Sequence, residues 1–86
     1  MTDEDLMLEV REVVKQCAGL KGDTDALDAH ADLYAAGMTS FASVEVMLGL
    51  EERFGIVFPQ DLIQRDRFKT IAALADAVSE IRSRAS

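Results

Sequence analysis

The sequence predicts an all-α fold, a bundle of four helices in which three are long and one is short. Three observations predict it. Apolar residues recur at helical spacing in three segments, residues typical of helix ends bound those segments, and the one strand-like stretch, GIVF at 55–58, has no partner strand. With 86 residues, 49% of them hydrophobic, the chain is long enough for one core. We therefore expect a single domain over residues 1–86, with a long loop between the first two helices.

The first helix is predicted from about Asp3 to Ala18. Thr2 can cap it, three acidic residues occupy its first turn, where they meet the positive end of the helix dipole, and Gly19 is a plausible stop. Its apolar face consists of Leu6, Val10, Val13, Val14 and Cys17.

The rest of the chain alternates between loop and helix. Residues 20–39 have no sustained period and predict a long loop with a short helical turn, which is uncommon in a compact domain unless the loop has a function. A second helix is predicted from Ser40 to Phe54, ended by Gly55, and a short third one from Pro59 to about Gln64. Thr70 caps the last helix, whose apolar residues are Ile71, Leu74, Val78 and Ile81.

The second helix has more apolar residues than one buried stripe requires. A sufficient core stripe is formed by Val46, Met47, Leu50 and Phe54. A second stripe, formed by Phe41, Val44 and Leu48, lies about 160° to 200° away from the first at 100° per residue. Glu45 and Glu52 flank this second stripe. Two interpretations are open: the second stripe is further core, or it faces a partner.

Charge and composition exclude several classes of function. Sixteen acidic against nine basic residues give a net charge of −7, which repels nucleic acid and attracts basic protein surfaces. No apolar run approaches the roughly 20 residues that span a bilayer, so we expect no membrane insertion and a cytoplasmic monomer. Cys17 and His30 are the only cysteine and histidine. Without a metal cluster or a recognisable triad, an enzyme is not predicted.

The residues from Asp32 to Phe41, DLYAAGMTSF, resemble the D-L-x-x-L-G-x-D-S-L signature of acyl and peptidyl carrier proteins. The resemblance continues through Leu50–Ile56, Pro59 and the capped last helix, so it covers essentially the whole domain. It implies the acyl-carrier bundle, a 4′-phosphopantetheine arm taken from coenzyme A, and Ser40 as the attachment residue. It also implies partner contacts by Phe41, Val44, Glu45, Leu48, Glu51 and Glu52.

The function implied by this resemblance is that of a non-catalytic carrier. Such a protein holds acyl or aminoacyl groups as thioesters in fatty acid, polyketide or specialised lipid or metabolite biosynthesis. Its partners would be a phosphopantetheinyl transferase, an acyl- or aminoacyl-loading ligase, and acyltransferase or synthase enzymes. The stretch from Asp32 to Ser40, with Phe58-Pro59 and Asp66-Arg67-Phe68, is also similar to small bacterial carriers that accept amino acids from stand-alone ligases.

Three positions depart from the carrier signature: Ala36 and Phe41 each replace Leu, and Thr39 replaces Asp. Thr39 keeps a capping oxygen but lacks the charge that a standard transferase often uses. These changes predict a specialised carrier rather than the housekeeping one of fatty acid synthesis.

Alternatives to the carrier interpretation remain open from the residues alone. Ser40 could be an ordinary helix N-cap. The second stripe could bind a partner peptide, which would make the chain a helical adaptor without a prosthetic group.

For a carrier, small residues of the last helix offer a further place for a short carried group: Ala72, Ala73 and Ala75.

Overall fold

The computed structural model describes residues 2–85 and confirms the all-α fold, because that range contains helices and turns but no strand. Its helices are α1 (Asp3–Cys17), α2 (Ser40–Phe54), α3 (Arg65–Phe68) and α4 (Ile71–Ala85). Two 3₁₀ turns, Thr24–Ala26 and Gln60–Leu62, lie in the connections. The prediction of three long helices and one short one is therefore confirmed.

The ends of the long helices lie where the sequence predicts them. Thr2 Oγ1 accepts a hydrogen bond from the backbone N–H of Asp5 at 3.1 Å, which caps α1. Gly55 ends α2 with a φ of 63°, in the left-handed region that glycine adopts without a Cβ clash. Thr70 Oγ1 accepts from Ala73 N at 2.9 Å and caps α4.

The short third helix is the element whose predicted position is wrong. The predicted segment from Pro59 to Gln64 forms only the 3₁₀ turn Gln60–Leu62. The helix itself starts at Arg65, one residue beyond the predicted end. Leu62 and Phe68 are both buried. If one continuous helix ran from Leu62 to Phe68, the two side chains would point about 120° apart around its axis. The chain instead breaks at Gln64, whose φ of −137° and ψ of 150° are extended, so that both side chains reach the core.

The core lies between the three long helices, with α1 packed against both α2 and α4. α1 contributes Leu6, Val10, Val13 and Val14, α2 contributes Val46 and Leu50, and α4 contributes Ile71, Leu74, Ala75, Ala77, Val78 and Ile81. The predicted core faces are confirmed at ten of these positions, whereas Ala75 and Ala77 were not predicted, and Cys17, Met47 and Phe54 are only partly buried.

The long loop between α1 and α2 contains the first 3₁₀ turn and is held in place by hydrogen bonds to other parts of the chain. The Arg11 guanidinium donates to the carbonyls of Thr24 and Leu27 at 2.8 and 2.6 Å. Leu33, fully buried, donates its backbone N–H to the carbonyl of Lys69 at 2.7 Å. The last bond joins the loop to the residues that follow α3, so both connections meet beside the start of α2.

Candidate functional site

The start of α2 is capped by Thr39, not by Ser40. Thr39 has the extended backbone of an N-cap, and its Oγ1 accepts from Ala42 N at 3.0 Å. Ser40 is the first residue of the helix proper. The N-cap interpretation of Ser40 is therefore wrong, because the neighbouring threonine already provides the cap.

The Ser40 hydroxyl takes no part in the hydrogen bonds that hold the described part of the fold together. Ser40 is exposed, and its Oγ makes no hydrogen bond to any residue in the range 2–85. Ser43, one turn further along, instead donates its hydroxyl to the Ser40 carbonyl at 2.6 Å. The first turn of α2 carries no acidic side chain, so its unpaired N–H groups present a net positive end. An anion attached at Ser40 would meet favourable electrostatics there.

An open cavity of about 350 Å³ adjoins Ser40, between α2 and the segment that leads into α3. Its walls mix apolar and polar side chains: Tyr34, Ser40, Ser43, Val44, Met47, Ile63, Gln64, Arg65 and Phe68. The place suggested from small residues on α4 is different, since Ala72, Ala73 and Ala75 do not line this cavity.

The second apolar stripe of α2 is exposed, so the interpretation of this stripe as further core is wrong. Phe41 is 75% exposed, Val44 49% and Leu48 50%, whereas Val46 and Leu50 on the opposite side are fully buried. A phenylalanine this exposed at the start of a helix keeps about three quarters of its surface in water, which a partner surface could cover.

The carboxylates predicted for partner contact differ in their surroundings. Glu45 and Glu52 are exposed, and neither makes a hydrogen bond or ion pair with any described residue. Glu51 is partly buried, and its Oε2 accepts from the backbone N–H of Phe58 at 2.8 Å, which ties the chain beyond α2 back to the helix. Burial, and then the negative charges of Glu45 and Glu52, raise the pKa of the Cys17 thiol.

Comparison with known families shows which family this chain belongs to. A family model described as the phosphopantetheine attachment site matches residues 9–78. The chain belongs to the phosphopantetheine-binding carrier proteins. The resemblance of the motif at residues 32–41 is thereby confirmed, and the family is one of carriers rather than of adaptors without a prosthetic group.

Relatives of this carrier protein include two curated sequences and a solved structure. This chain is 46% identical to the aminoacyl carrier protein of Agrobacterium fabrum over 72 residues. The matched region covers 84% of this chain and 87% of the relative. It is 32% identical to the chloroplastic acyl carrier protein of Brassica napus over 85% of this chain and 52% of that one.

The solved structure is that of a carrier protein from Agrobacterium tumefaciens, complexed with ATP and an engineered glycine:carrier protein ligase from Bradyrhizobium japonicum. Its TM-score is 0.85 at 43% identity, covering 88% of this chain and 99% of that one. The fold of this carrier protein is therefore that of a known carrier.

The residues around Ser40 fit the family's prosthetic group, 4′-phosphopantetheine. The start of α2 offers an exposed hydroxyl with no competing bond, a positive helix end for the phosphate, and an adjoining cavity of mixed polarity. When bound, the group supplies the thiol on which the carried group is held as a thioester. A nucleophile of the chain's own is then not needed for holding cargo.

The sequence analysis missed all five cavity residues that lie outside α2: Tyr34, Ile63, Gln64, Arg65 and Phe68. They lie in or next to the connections, where no periodicity indicates which way a side chain faces. Among residues 2–85, no helix is long and apolar enough to span a bilayer. The same range holds no group of three or more side chains suited to a metal ion.

Proposed function

We propose that this carrier protein is an aminoacyl carrier, with its phosphopantetheine arm attached to Ser40. The observation that carries the proposal is the division of roles at the start of α2, where Thr39 caps the helix and the Ser40 hydroxyl remains free and exposed. The chain acts as a single carrier domain in the cytoplasm and performs no catalysis itself. Partner enzymes carry out loading, transfer and release.

Attachment of the arm is a phosphoryl transfer from coenzyme A. A new P–O bond forms to Ser40 Oγ, the pyrophosphate bond of coenzyme A breaks, adenosine 3′,5′-bisphosphate leaves, and the hydroxyl proton passes to a base of the transferase or to solvent. Ser43 is a poor competitor for this role, because its hydroxyl lies one turn inside the helix and is engaged with the Ser40 carbonyl.

The aminoacyl cargo is supported by the relatives. One is named an aminoacyl carrier protein, and another is a carrier complexed with a glycine:carrier protein ligase. A loading ligase that activates amino acids is therefore the first partner that we propose. An acyltransferase or synthase that removes the cargo completes the cycle.

The docking face for these partners is the exposed stripe of α2, formed by Phe41, Val44 and Leu48, with Glu45 and Glu52 beside it. An apolar strip next to unpaired carboxylates suits an enzyme surface that combines an apolar groove with basic residues. In such complexes the charges mainly raise the rate of encounter, and the apolar contacts hold the complex.

Thr39 bears on the choice of transferase. It occupies the position where carriers commonly have Asp, so the start of α2 lacks the negative charge that a standard phosphopantetheinyl transferase often uses. We propose that the transferase serving this chain recognises a neutral residue at this position.

The attachment is tested by intact-protein mass spectrometry after incubation with coenzyme A and a broad-specificity phosphopantetheinyl transferase. The native chain and the control Ser43→Ala should each gain the mass of one arm, and Ser40→Ala should gain none. A gain in Ser40→Ala would contradict the proposal. If the native chain gains no mass with several transferases, Thr39→Asp is assayed, and failure of that variant too would contradict attachment at Ser40.

A further inference from the structure

Among the described residues that line the cavity at Ser40, Arg65 is the only one with a charged side chain. It is the first residue of α3, and its guanidinium carbon lies 3.8 Å from the centre of the Tyr34 ring. Contact at this distance stacks the cation on the face of the aromatic ring. The long loop before α2 and the segment after it therefore combine to place a positive charge in the cavity that Ser40 borders.

The donors of Arg65 are uncommitted within the part of the chain that the structure describes. Three other arginines are engaged: Arg11 with loop carbonyls, Arg53 with Glu9, and Arg84 with two carboxylates. Arg65 makes no hydrogen bond and no ion pair with residues 2–85. Stacking occupies the face of a guanidinium and leaves the N–H groups at its edge available for a second partner.

We propose that Arg65, held by Tyr34, binds the phosphodiester that joins the arm to Ser40. This inference rests on the proposed function and adds to it a residue that positions the arm. Arg is suited to the role, because its planar donors match the non-bridging oxygens of a phosphate. With Thr39 neutral and no acid in the first turn of α2, no carboxylate there competes for the guanidinium.

The position of Arg65 beside Ser40 would also reduce the electrostatic repulsion that the phosphodiester meets. The phosphodiester adds a further negative charge to a chain whose net charge is already −7. A cation beside the attachment point offsets that repulsion locally and biases the arm toward the cavity rather than toward open solvent. Because Arg65 is exposed, the interaction should weaken as the salt concentration rises.

The first test uses NMR of the native protein before and after attachment of the arm. Side-chain Nε–H signals of arginine are compared between the two forms, with Arg67 as the matched control, since it lies on the same short helix but does not line the cavity. The Arg65 signal should shift on attachment, the Arg67 signal should shift less, and the difference should shrink at high salt. Equal shifts, or none at Arg65, would overturn the proposal.

The second test measures the ³¹P signal of the attached arm in native protein, Arg65→Lys, Arg65→Gln and Arg67→Gln, each loaded with excess transferase. In Arg65→Gln this signal should show slower transverse relaxation, as expected for a freer phosphate. Arg65→Lys should show an intermediate change, and Arg67→Gln should show no change. Relaxation unchanged in Arg65→Gln would overturn the proposal.

These outcomes are separable from those of the proposed function. If no arm attaches to the native chain, the attachment to Ser40 fails, which the mass measurement detects before any NMR. If Arg65→Gln cannot be loaded, the comparison of native arginine signals still decides the role of Arg65.

Discussion

Thr39 and Ser40 are adjacent hydroxyl residues with different tasks at the start of α2. Thr39 Oγ1 accepts a hydrogen bond from the backbone N–H of Ala42. Ser40 follows it in the first helical position, where the side chain points outward and is not needed by the helix. Under the proposed function, helix capping and chemical modification therefore depend on different side chains. Modification of Ser40 should leave the cap intact, so that α2 keeps its geometry with the arm attached.

At the same scale, the three carboxylates of α2 that the family resemblance grouped together divide into two kinds. Glu45 and Glu52 are unpaired and exposed among the described residues, which suits contact with a partner. Glu51 has a structural bond, since it accepts from Phe58 N. The sequence pattern could not separate them, because all three lie on the outer side of one helix and the partner of Glu51 is a backbone group beyond the helix end.

We predict that charge reversal affects these residues differently. Glu45→Lys and Glu52→Lys should slow loading by a partner ligase several-fold at low salt, while the free energy of unfolding changes by less than about 0.5 kcal/mol. Glu51→Ala should instead lower the free energy of unfolding by about 1–2 kcal/mol, because it removes a hydrogen bond to a charged group. Urea denaturation and loading kinetics measure the two effects.

Asp76→Lys is the matched control for this prediction, since it makes the same charge change at an exposed position on α4. Loading that slows equally in Asp76→Lys would mean that net charge, rather than the docking face, governs the rate. Unchanged kinetics in Glu45→Lys and Glu52→Lys would remove these two residues from the docking face.

At the scale of the element, α2 has three kinds of surface: a buried side, an exposed apolar stripe, and a line of close contact with α1. The close contact is made at Gly49, where an added Cβ would lie 2.9 Å from Val13 Cγ1 and 3.0 Å from Cys17 Sγ. Such distances are shorter than ordinary van der Waals contact. The absence of a side chain at Gly49 is what allows the two helices to approach.

We predict that Gly49→Ala destabilises the protein although it adds a better helix former. Alanine improves helix propensity by about 1 kcal/mol, but overpacking against α1 costs about 1–3 kcal/mol. The free energy of unfolding, measured in urea, should therefore fall by about 1 kcal/mol. Removing one clashing group in Cys17→Ala/Gly49→Ala should recover part of the loss that Gly49→Ala causes in the Cys17→Ala background. Greater stability of Gly49→Ala than of the native chain would contradict the packing described here.

Elements were predictable from the sequence where their signals are local. α1, α2 and α4 each combine a 3.6-residue apolar period with a capping residue, and their ends lie within one residue of the predicted positions wherever an end was predicted. The segment from Pro59 to Phe68 was not predictable in this way. Its path is set by the burial of Leu62 and Phe68 in a core made by other helices.

At the scale of the whole molecule, the same distinction separates the parts of the site. Ser40 and the exposed stripe follow from a motif and a periodicity within one helix. The cavity does not, because the contact between Tyr34 and Arg65 joins the long loop to α3, beside the hydrogen bond from Leu33 to Lys69. No pattern in a single stretch of sequence indicates a contact made by two connections.

The molecule as a whole is a small helical scaffold that presents the exposed Ser40 hydroxyl, our proposed attachment site, beside a cavity and an acidic, apolar face. No described group of side chains is suited to hold a metal, and the thiol of Cys17 lies against α2 with a raised pKa. A raised thiol pKa means less thiolate at neutral pH, which disfavours Cys17 as the group that bears cargo. The thiol of the arm is the group that we expect to bear it.

The measurement that tests this account most directly is aminoacylation of the protein after its arm has been attached. The loaded chain is incubated with ATP, an amino acid:carrier protein ligase and a mixture of amino acids, and its intact mass is recorded. We predict a further gain of one aminoacyl group that hydroxylamine removes, as expected for a thioester, and no gain in Ser40→Ala. An arm-bearing protein that stays unchanged under these conditions, but is loaded by a fatty acyl ligase, would contradict the account.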